Sequence, residues 1–139
     1  MAKKRMTSAR VCKFIQLYVR LKETDVNGYG LCCSCGNMNP WSNLHGGHFQ
    51  PKGCNYNAAA FDERNVHIQC ATCNIYGCGN PAGYSKYMEK KYGWDVIAEI
   101  EALSYRRLER EEILEVGRKY KALCQEEAKK KNFKIRIPS

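Results

Sequence analysis

The sequence lacks the features that mark membrane-bound and secreted proteins. Among its 139 residues, no apolar run approaches the roughly 18 residues that a membrane span needs. The N-terminus, Met-Ala-Lys-Lys-Arg, has no apolar signal core. Internal repeats and low-complexity linkers are also missing. We therefore expect a cytoplasmic protein without membrane contact, built as one ordinary domain with room for a helical appendage.

Acidic residues are the scarcer charged class. There are 14 Asp and Glu against 23 Lys and Arg, which gives a formal net charge of +9. A small protein this basic commonly has a polyanionic partner, because cationic side chains that neutralise phosphates release condensed counterions. We expect nucleic acid to be this partner; a basic protein without such a partner is the alternative.

Helical spacing of apolar residues dominates both ends of the chain. The predicted helices cover Ser8–Glu23, residues 81–92 from the Asn80-Pro81 start to the Gly93 stop, Asp95–Leu103, and Arg110–Lys131. Cys12 and Cys124 fall on apolar faces of the first and last of these helices. Two short strands are expected in between, near Leu31–Cys33 and His45–Gln50, and another helix from about Cys70. The pattern indicates an α+β fold.

Nine cysteines are present, and their spacing predicts a metal site. An odd number argues against a fully paired disulfide framework, and C-x2-C pairs in a reducing cytoplasm are typical of zinc sites. Two such pairs supply a structural zinc site with the ligands Cys32, Cys35, Cys70 and Cys73. We prefer Cys32 to Cys33 because C-x-C is a tighter, less usual chelate. Cys54 and Cys78 stay open as substitute ligands.

Three short motifs accompany the cysteine pairs in a fixed order. Gly47-His48 lies between the pairs, Asn65 lies five residues before the second pair, and Asn74 follows it directly. This order resembles the zinc-containing HNH nucleases, including phage recombination endonuclease VII. The resemblance implies that His48 is the general base, that Asn65 orients it, and that Asn74 binds the catalytic Mg²⁺ or Mn²⁺. Phosphodiester hydrolysis suits these residues, because an imidazole can deprotonate water and an amide oxygen is a hard ligand.

Further residues extend this pattern from about Cys32 to Gly93. They are Gly47-His48-Phe49, the run from Phe61 to Cys70, Cys73-Asn74, Gly79-Asn80 and Tyr84. The series resembles the lambdoid phage NinG (Rap) recombination family. The resemblance implies a metal-dependent, structure-selective DNA endonuclease that cuts branched recombination intermediates, such as Holliday junctions and D-loops, in the host bacterial cytoplasm.

The expected architecture places this site in the middle of the chain. A small ββα-metal (HNH) core held by zinc covers residues 31–93. A basic tail and helix, residues 1–30, precede it, and a helical region with a basic end, residues 94–139, follows. The long last helix is a candidate homodimer surface, because a junction-cutting enzyme needs two sites. Recombination proteins are further candidate partners.

One position departs from the HNH pattern. Many HNH enzymes have a metal-binding Asp directly before the base, and this chain has Gly47. His45, His67 and Asp62 are the candidates for the missing ligand, in that order, and His45 comes first because it shares a strand with His48. A structural hydrogen bond is the alternative for His67, and a turn is the alternative for Asp62.

Phosphate contacts are expected outside the motif. The candidate residues are Lys3, Lys4, Arg5, Arg10, Lys52, Arg64 and the basic residues from Lys129 onward. Tyr56 and Trp41 are candidates for stacking on unpaired bases, with ordinary packing preferred for Trp41. Two other functions stay open: a non-catalytic zinc module that binds branched DNA or a recombination partner, and a sequence-specific, zinc-containing DNA-binding regulator. The regulator is the weakest, because no helix after a cysteine pair has a base-reading pattern.

Overall fold

The structure is a computed structural model that describes residues 4–131. Its elements are α1 (Ser8–Glu23), β1 (Tyr29–Leu31), β2 (Met38–Pro40), β3 (Leu44–His48), β4 (Val66–Cys70), α2 (Pro81–Tyr92), α3 (Trp94–Leu103) and α4 (Arg110–Lys131). A single π-helical turn, Thr72–Tyr76, separates β4 from α2. The architecture is α+β, as expected. Within residues 4–131, no helix combines the length and the apolar character needed to cross a bilayer.

The strands form two separate antiparallel ribbons, β1–β2 and β3–β4. The sequence predicted only two strands, and their bounds were shifted from those of β1 and β3. Strand β2 was not predicted, because its three residues are too few to show an alternation of apolar and polar side chains. Strand β4 was not predicted as a strand, although Val66, His67, Ile68, Gln69 and Cys70 alternate between apolar and polar residues; all five are buried in the fold.

The register of β3 and β4 decides which side chains share a face. His45 pairs with Gln69, Gly47 with His67, and His48 with Val66. Paired residues point to the same face and neighbours alternate, so His45 and His48 lie on opposite faces of the ribbon. The expectation that a shared strand would bring these two histidines to one metal ion is therefore wrong.

Helix α1 forms the centre of the larger apolar core. Thr7 caps its N-terminus by accepting a hydrogen bond from the backbone of Arg10 at 3.2 Å. Its buried face packs on one side against β3 and β4 and on the other against α4. The α1 residues with no more than 1% exposure are Val11, Cys12, Phe14, Ile15, Val19 and Leu21. Each fully buried Phe or Ile side chain contributes about 1.5–3 kcal/mol to folding.

The apolar stripe of α4 covers α1. Ile113, Tyr120 and Cys124 are buried there, and the Cys124 thiol lies 3.2 Å from the carbonyl oxygen of Phe14. Burial confirms that Cys12 and Cys124 occupy apolar helix faces. Because the stripe is used within the chain, a homodimer would need another surface.

Helices α2 and α3 form a smaller core on the opposite face of the β3–β4 ribbon. Asn80 caps α2 through its side chain, Pro81 occupies the first turn, and Gly93 ends the helix with a φ of 85°, as the sequence predicted. Tyr84 is buried and its hydroxyl donates to the carbonyl oxygen of Gly47 at 2.7 Å. The β3–β4 ribbon is thus held between α1 and α2, and the end of β4, at Cys70, pairs with the start of β3, at Leu44.

Candidate metal centres and the basic cleft

The four predicted zinc ligands form one cluster. The sulfurs of Cys32, Cys35, Cys70 and Cys73 all lie within 4.8 Å of one another. The Sγ atoms of Cys35 and Cys70 are 3.8 Å apart. A tetrahedral zinc with Zn–S bonds of about 2.3 Å requires sulfurs roughly 3.8 Å apart. The cluster therefore fits zinc, and it contains Cys32 and not Cys33. Cys54 and Cys78 are exposed and lie outside the cluster, so they are not substitute ligands.

Backbone amides prepare this cluster for thiolates. Gly36, with a φ of 76°, closes the first cysteine loop, and its amide donates to the carbonyl oxygen of Cys32 at 2.8 Å. Burial by itself would raise the pKa of Cys32, but the backbone amides of Cys35, Cys70 and Ser34 outweigh it and lower that pKa to about 7. Burial raises the pKa of Cys73 to about 12. A divalent cation removes this conflict, because it allows all four sulfurs to be ionised.

Asn65 fixes the turn that holds His48. Asn65 is fully buried, and its amide bonds the backbone of Gln50 at 2.7 and 3.0 Å and the carbonyl oxygen of Ala59 at 2.9 Å. The next carbonyl, that of Ala60, accepts a hydrogen bond from Nε2 of His48 at 3.0 Å. Asn65 therefore acts on His48 through the backbone of residues 59–60 and not by direct contact.

The same contact sets the protonation of His48. A backbone carbonyl can only accept, so Nε2 carries the proton and Nδ1 keeps its lone pair. Burial lowers the pKa of His48 to about 4; Lys52 adds to this effect and the Ala60 carbonyl opposes it. His48 is therefore a neutral imidazole at pH 7, with an unprotonated nitrogen.

His45 and Asn74 meet on the other face of the ribbon. The Asn74 amide nitrogen donates to Nδ1 of His45 at 3.0 Å. Both residues line a cleft of about 700 Å³ between α1 and β3. The π-helical turn that begins two residues after Cys70 carries both Cys73 and Asn74, so the zinc cluster also positions Asn74.

Two cations of α1 line this cleft, and the sequence analysis missed both. Lys13 is exposed, and Arg20 follows it by seven residues on the same helix face. The guanidinium of Arg20 lies 4.0 Å from the centre of the Trp41 ring and donates to the Trp41 carbonyl oxygen at 3.0 Å. Among residues 4–131, Nε of Arg20 is buried without a hydrogen-bond partner. The spacing of Lys13 and Arg20 on the less apolar face of α1 was the available signal.

His67 does not reach the cleft. It is 3% exposed, its Nδ1 lies 2.7 Å from a carboxylate oxygen of Glu23, and its Nε2 lies 3.0 Å from the hydroxyl of Tyr92. Both ring nitrogens are thereby engaged, so His67 is a structural residue and not a ligand of a metal in the cleft. Asp62 forms a turn, as the alternative held, by accepting from the backbone of Arg64 at 2.9 Å.

A side chain at Gly47 has no room. A Cβ atom added there would lie 1.8 Å from Oε1 of Gln69 and 3.1 Å from Oδ1 of Asn74. The Gln69 side chain is fully buried and occupies the space that an Asp at position 47 would need. The departure from the HNH pattern at Gly47 therefore has a local steric cause.

Of the cationic residues predicted to contact phosphate, those within residues 4–131 do not line the cleft. Lys3 and the basic residues after Lys131 fall outside the described part of the chain. Lys4 and Arg5 are exposed, Arg10 bonds the Lys4 carbonyl at 2.7 Å, and the Lys52 ammonium is 5.9 Å from the Tyr56 ring.

Two basic residues already have partners within the chain. Arg64 pairs with Asp62 at 2.9 Å and Glu99 at 2.7 Å, so its charge is already compensated. The ammonium of Lys131 bonds the carbonyl oxygens of Leu21 and Thr24 at the end of α1. Neither residue is a free phosphate contact in this structure.

Residues 2–131 match the family described as Bacteriophage Lambda NinG protein. Protein ninG of Escherichia phage 933W is 30% identical over 92 residues, which cover 63% of this chain and 41% of that protein. Protein ninG of Salmonella phage P22 is 30% identical and that of Escherichia phage lambda 29%, each over 63% of this chain and 40% of the relative. The chain thus spans about two fifths of the length of these curated relatives. No solved structure matches it.

Proposed function

Because the chain belongs to the NinG family of bacteriophage proteins, we propose that it is a metal-dependent endonuclease. Its substrates are branched DNA recombination intermediates such as Holliday junctions and D-loops, and it hydrolyses their phosphodiester bonds. The position of Asn74 beside Gly47, the residue that precedes the proposed base His48, carries the proposal. Oδ1 of Asn74 lies 3.1 Å from the point where a side chain on Gly47 would begin, and Gly47 directly precedes His48.

The order of elements around these residues supports an HNH-type core. Strands β3 and β4 pair antiparallel and lead into the helical turn Thr72–Tyr76, the order of a ββα-metal motif. His48 ends the first strand, Asn65 precedes the second, and Asn74 lies in the turn. The zinc cluster fixes the start of the turn through Cys70 and Cys73.

The proton chemistry falls to His48. Its neutral imidazole has Nε2 tied to the Ala60 carbonyl and Nδ1 unprotonated, so Nδ1 accepts a proton from the attacking water. Asn65 holds the geometry by fixing residues 59–60. Mg²⁺ or Mn²⁺ held by the Asn74 amide oxygen would stabilise charge on the phosphate and the leaving oxygen. His45 orients that amide by accepting from its nitrogen.

The cleft supplies a route for the DNA backbone. Lys13 and Arg20 line it together with His45 and Asn74, so phosphates bound there lie next to the proposed metal ligand Asn74. Arg20 suits this role because its guanidinium is held against Trp41 and loses little freedom on binding a phosphate. The contacts are to the backbone and carry no base specificity.

A non-catalytic zinc module that binds branched DNA is the second candidate. Gly47 favours it, because this chain has no carboxylate at the position where many HNH enzymes bind the metal. Cleavage assays separate the two functions. The zinc-loaded protein is incubated with a labelled four-way junction or a matched duplex, in Mg²⁺, in Mn²⁺ or in EDTA.

The nuclease proposal predicts metal-dependent cuts in the junction that are lost in His48→Gln and Asn74→Ala while junction binding is retained. Asn39→Ala is the matched control, since Asn39 is another partly exposed asparagine, located on β2 away from the cleft. Binding without cleavage in either metal would contradict the nuclease and support the module. Equal cutting by Asn74→Ala and Asn39→Ala would remove Asn74 from the mechanism.

A further inference from the structure

Gln69 carries a buried oxygen without a partner. Its side chain is fully buried, and its amide nitrogen donates to Oγ of Ser34 and to the carbonyl oxygen of Gly79, both at 2.8 Å. The Gly79 carbonyl can only accept, which fixes the nitrogen on that side and turns Oε1 toward Gly47. Among residues 4–131, nothing donates a hydrogen bond to Oε1. A fully buried, unpaired carbonyl oxygen is costly and therefore needs an explanation.

A second oxygen faces the same point. Oδ1 of Asn74 and Oε1 of Gln69 lie 3.1 and 1.8 Å from the position of a Cβ atom on Gly47. The orientation of Asn74 is set by His45, whose Nδ1 takes the hydrogen bond from the Asn74 nitrogen. Two carbonyl dipoles therefore converge with their negative ends together and no donor between them. Such an arrangement attracts a cation, and amide oxygens are ligands of hard divalent ions.

We propose that Gln69 Oε1 and Asn74 Oδ1 together bind a divalent cation of the Mg²⁺ or Mn²⁺ type next to Gly47. This inference rests on the proposed function, because it supplies the ligand that Gly47 lacks in the nuclease site. Gln69 reaches the position from β4, directly across the ribbon from His45. A side chain at position 47 and the Gln69 side chain would occupy the same space. Only one of the two can therefore supply an oxygen ligand for the cation.

Titration of the zinc-loaded full chain with MnCl₂, followed by Mn²⁺ electron paramagnetic resonance without DNA, tests the pair directly. Gln69→Ala removes the oxygen, and we expect Mn²⁺ affinity to fall roughly tenfold or more. Ser34→Ala is the matched control, because it removes a partner of the Gln69 nitrogen and leaves Oε1 in place. We expect its Mn²⁺ affinity to equal that of the unmodified chain.

A rescue experiment uses the steric exclusion. Gln69→Ala opens the space beside Gly47, so Gly47→Asp in that background places a carboxylate where Oε1 was. The double variant is expected to regain Mn²⁺ affinity. Both variants lack the Gln69 amide and share any loss of stability, so the difference between them reports on the metal. Gln69→Met, which keeps the side-chain length, replaces Gln69→Ala if that variant does not fold, and the same weakening is expected.

The outcomes separate this inference from the proposed function. Unchanged Mn²⁺ affinity in Gln69→Ala or Gln69→Met, or no Mn²⁺ binding by the unmodified chain, overturns the metal pair, even where junctions are cut. Gln69-dependent Mn²⁺ binding without any cleavage supports the metal pair and counts against the nuclease. Loss of both Mn²⁺ binding and cleavage in the Gln69 variants, with Ser34→Ala unaffected, supports both.

Discussion

His48 combines a half-buried imidazole with one hydrogen bond to a carbonyl, and its acid behaviour follows from this environment. Its pKa is about 4 in the folded protein and 6.5 in an unfolded chain. As the pH falls, the unfolded state binds the proton first, so the stability that neutral His48 contributes is fully present above pH 6.5. It is lost between pH 6.5 and about 4, and because the ring is partly exposed to solvent its size is at most about 3 kcal/mol.

We expect His48→Gln to remove this pH dependence. The glutamine amide still donates to the Ala60 carbonyl but does not titrate. Urea unfolding of both proteins between pH 7 and pH 4.5 measures the effect, and the stability advantage of the unmodified chain should shrink as the pH falls. Protonation of zinc ligands affects both proteins equally and cancels in the difference. Two parallel curves would show that His48 is not buried as the structure describes.

The spacing of residues along the chain was sufficient to predict roles that depend on residues nearby in sequence. C-x2-C spacing selected Cys32 over Cys33, because the distance between two thiolates on one loop is set by the number of residues between them. Spacing failed for His45 and His67, because their contacts depend on other elements. Asn74 comes from the turn after β4, and Glu23 comes from the end of α1.

At the scale of elements, helix α1 has two functions, and its pattern of apolar residues predicts only the first of them. Its buried face builds the core, and its less apolar face carries Lys13 and Arg20 into the cleft. The periodicity predicted the helix with its observed bounds, Ser8–Glu23. It did not predict the cleft, because β3 and the Trp41 segment form the opposite wall.

Lys13 gives the direct test of the cleft as a DNA site. Its side chain is exposed, so Lys13→Ala should leave stability nearly unchanged. If Lys13 contacts a phosphate, junction affinity should fall, and the slope of log K against log salt should decrease by about 0.9. Arg118→Ala on α4 is the control, since it removes one exposed cation far from the cleft lining. Identical salt slopes for the two variants would contradict the assignment.

At the scale of the whole molecule, the four-cysteine cluster joins parts that share little apolar contact. The segment around the cysteine pairs has its own small buried cluster, formed by Cys32, Cys70 and Cys73, apart from the two apolar cores. A metal bound there would replace the hydrophobic burial that the segment lacks. The loop of β1–β2, the end of β4 and the turn that carries Asn74 all meet at this point.

Removal of zinc is therefore expected to cause a severe loss of structure. Thermal unfolding by circular dichroism with and without a strong chelator measures it, with released zinc followed by a colorimetric dye. Cys35→Ser should lose zinc and unfold at lower temperature. Cys54→Ser, which changes an equally exposed cysteine outside the cluster, should do neither. A cooperative transition that survives chelation at the same temperature would contradict a structural zinc.

The sequence by itself determined helices α1–α4, the start and stop of α2 at Asn80-Pro81 and Gly93, and the four cysteines of the cluster. Helical period, capping and chelate spacing are local properties of the chain. The tertiary structure alone decided what surrounds Gly47. The β3–β4 register places His45 and His48 on opposite faces and brings Gln69 across to Gly47. Register and packing depend on pairs of residues distant in sequence, such as Gly47 and His67, and no local pattern encodes them. For the same reason, the sequence indicates only that position 47 lacks a metal-binding side chain. The fold shows that Gln69 packs into the space which such a side chain would need.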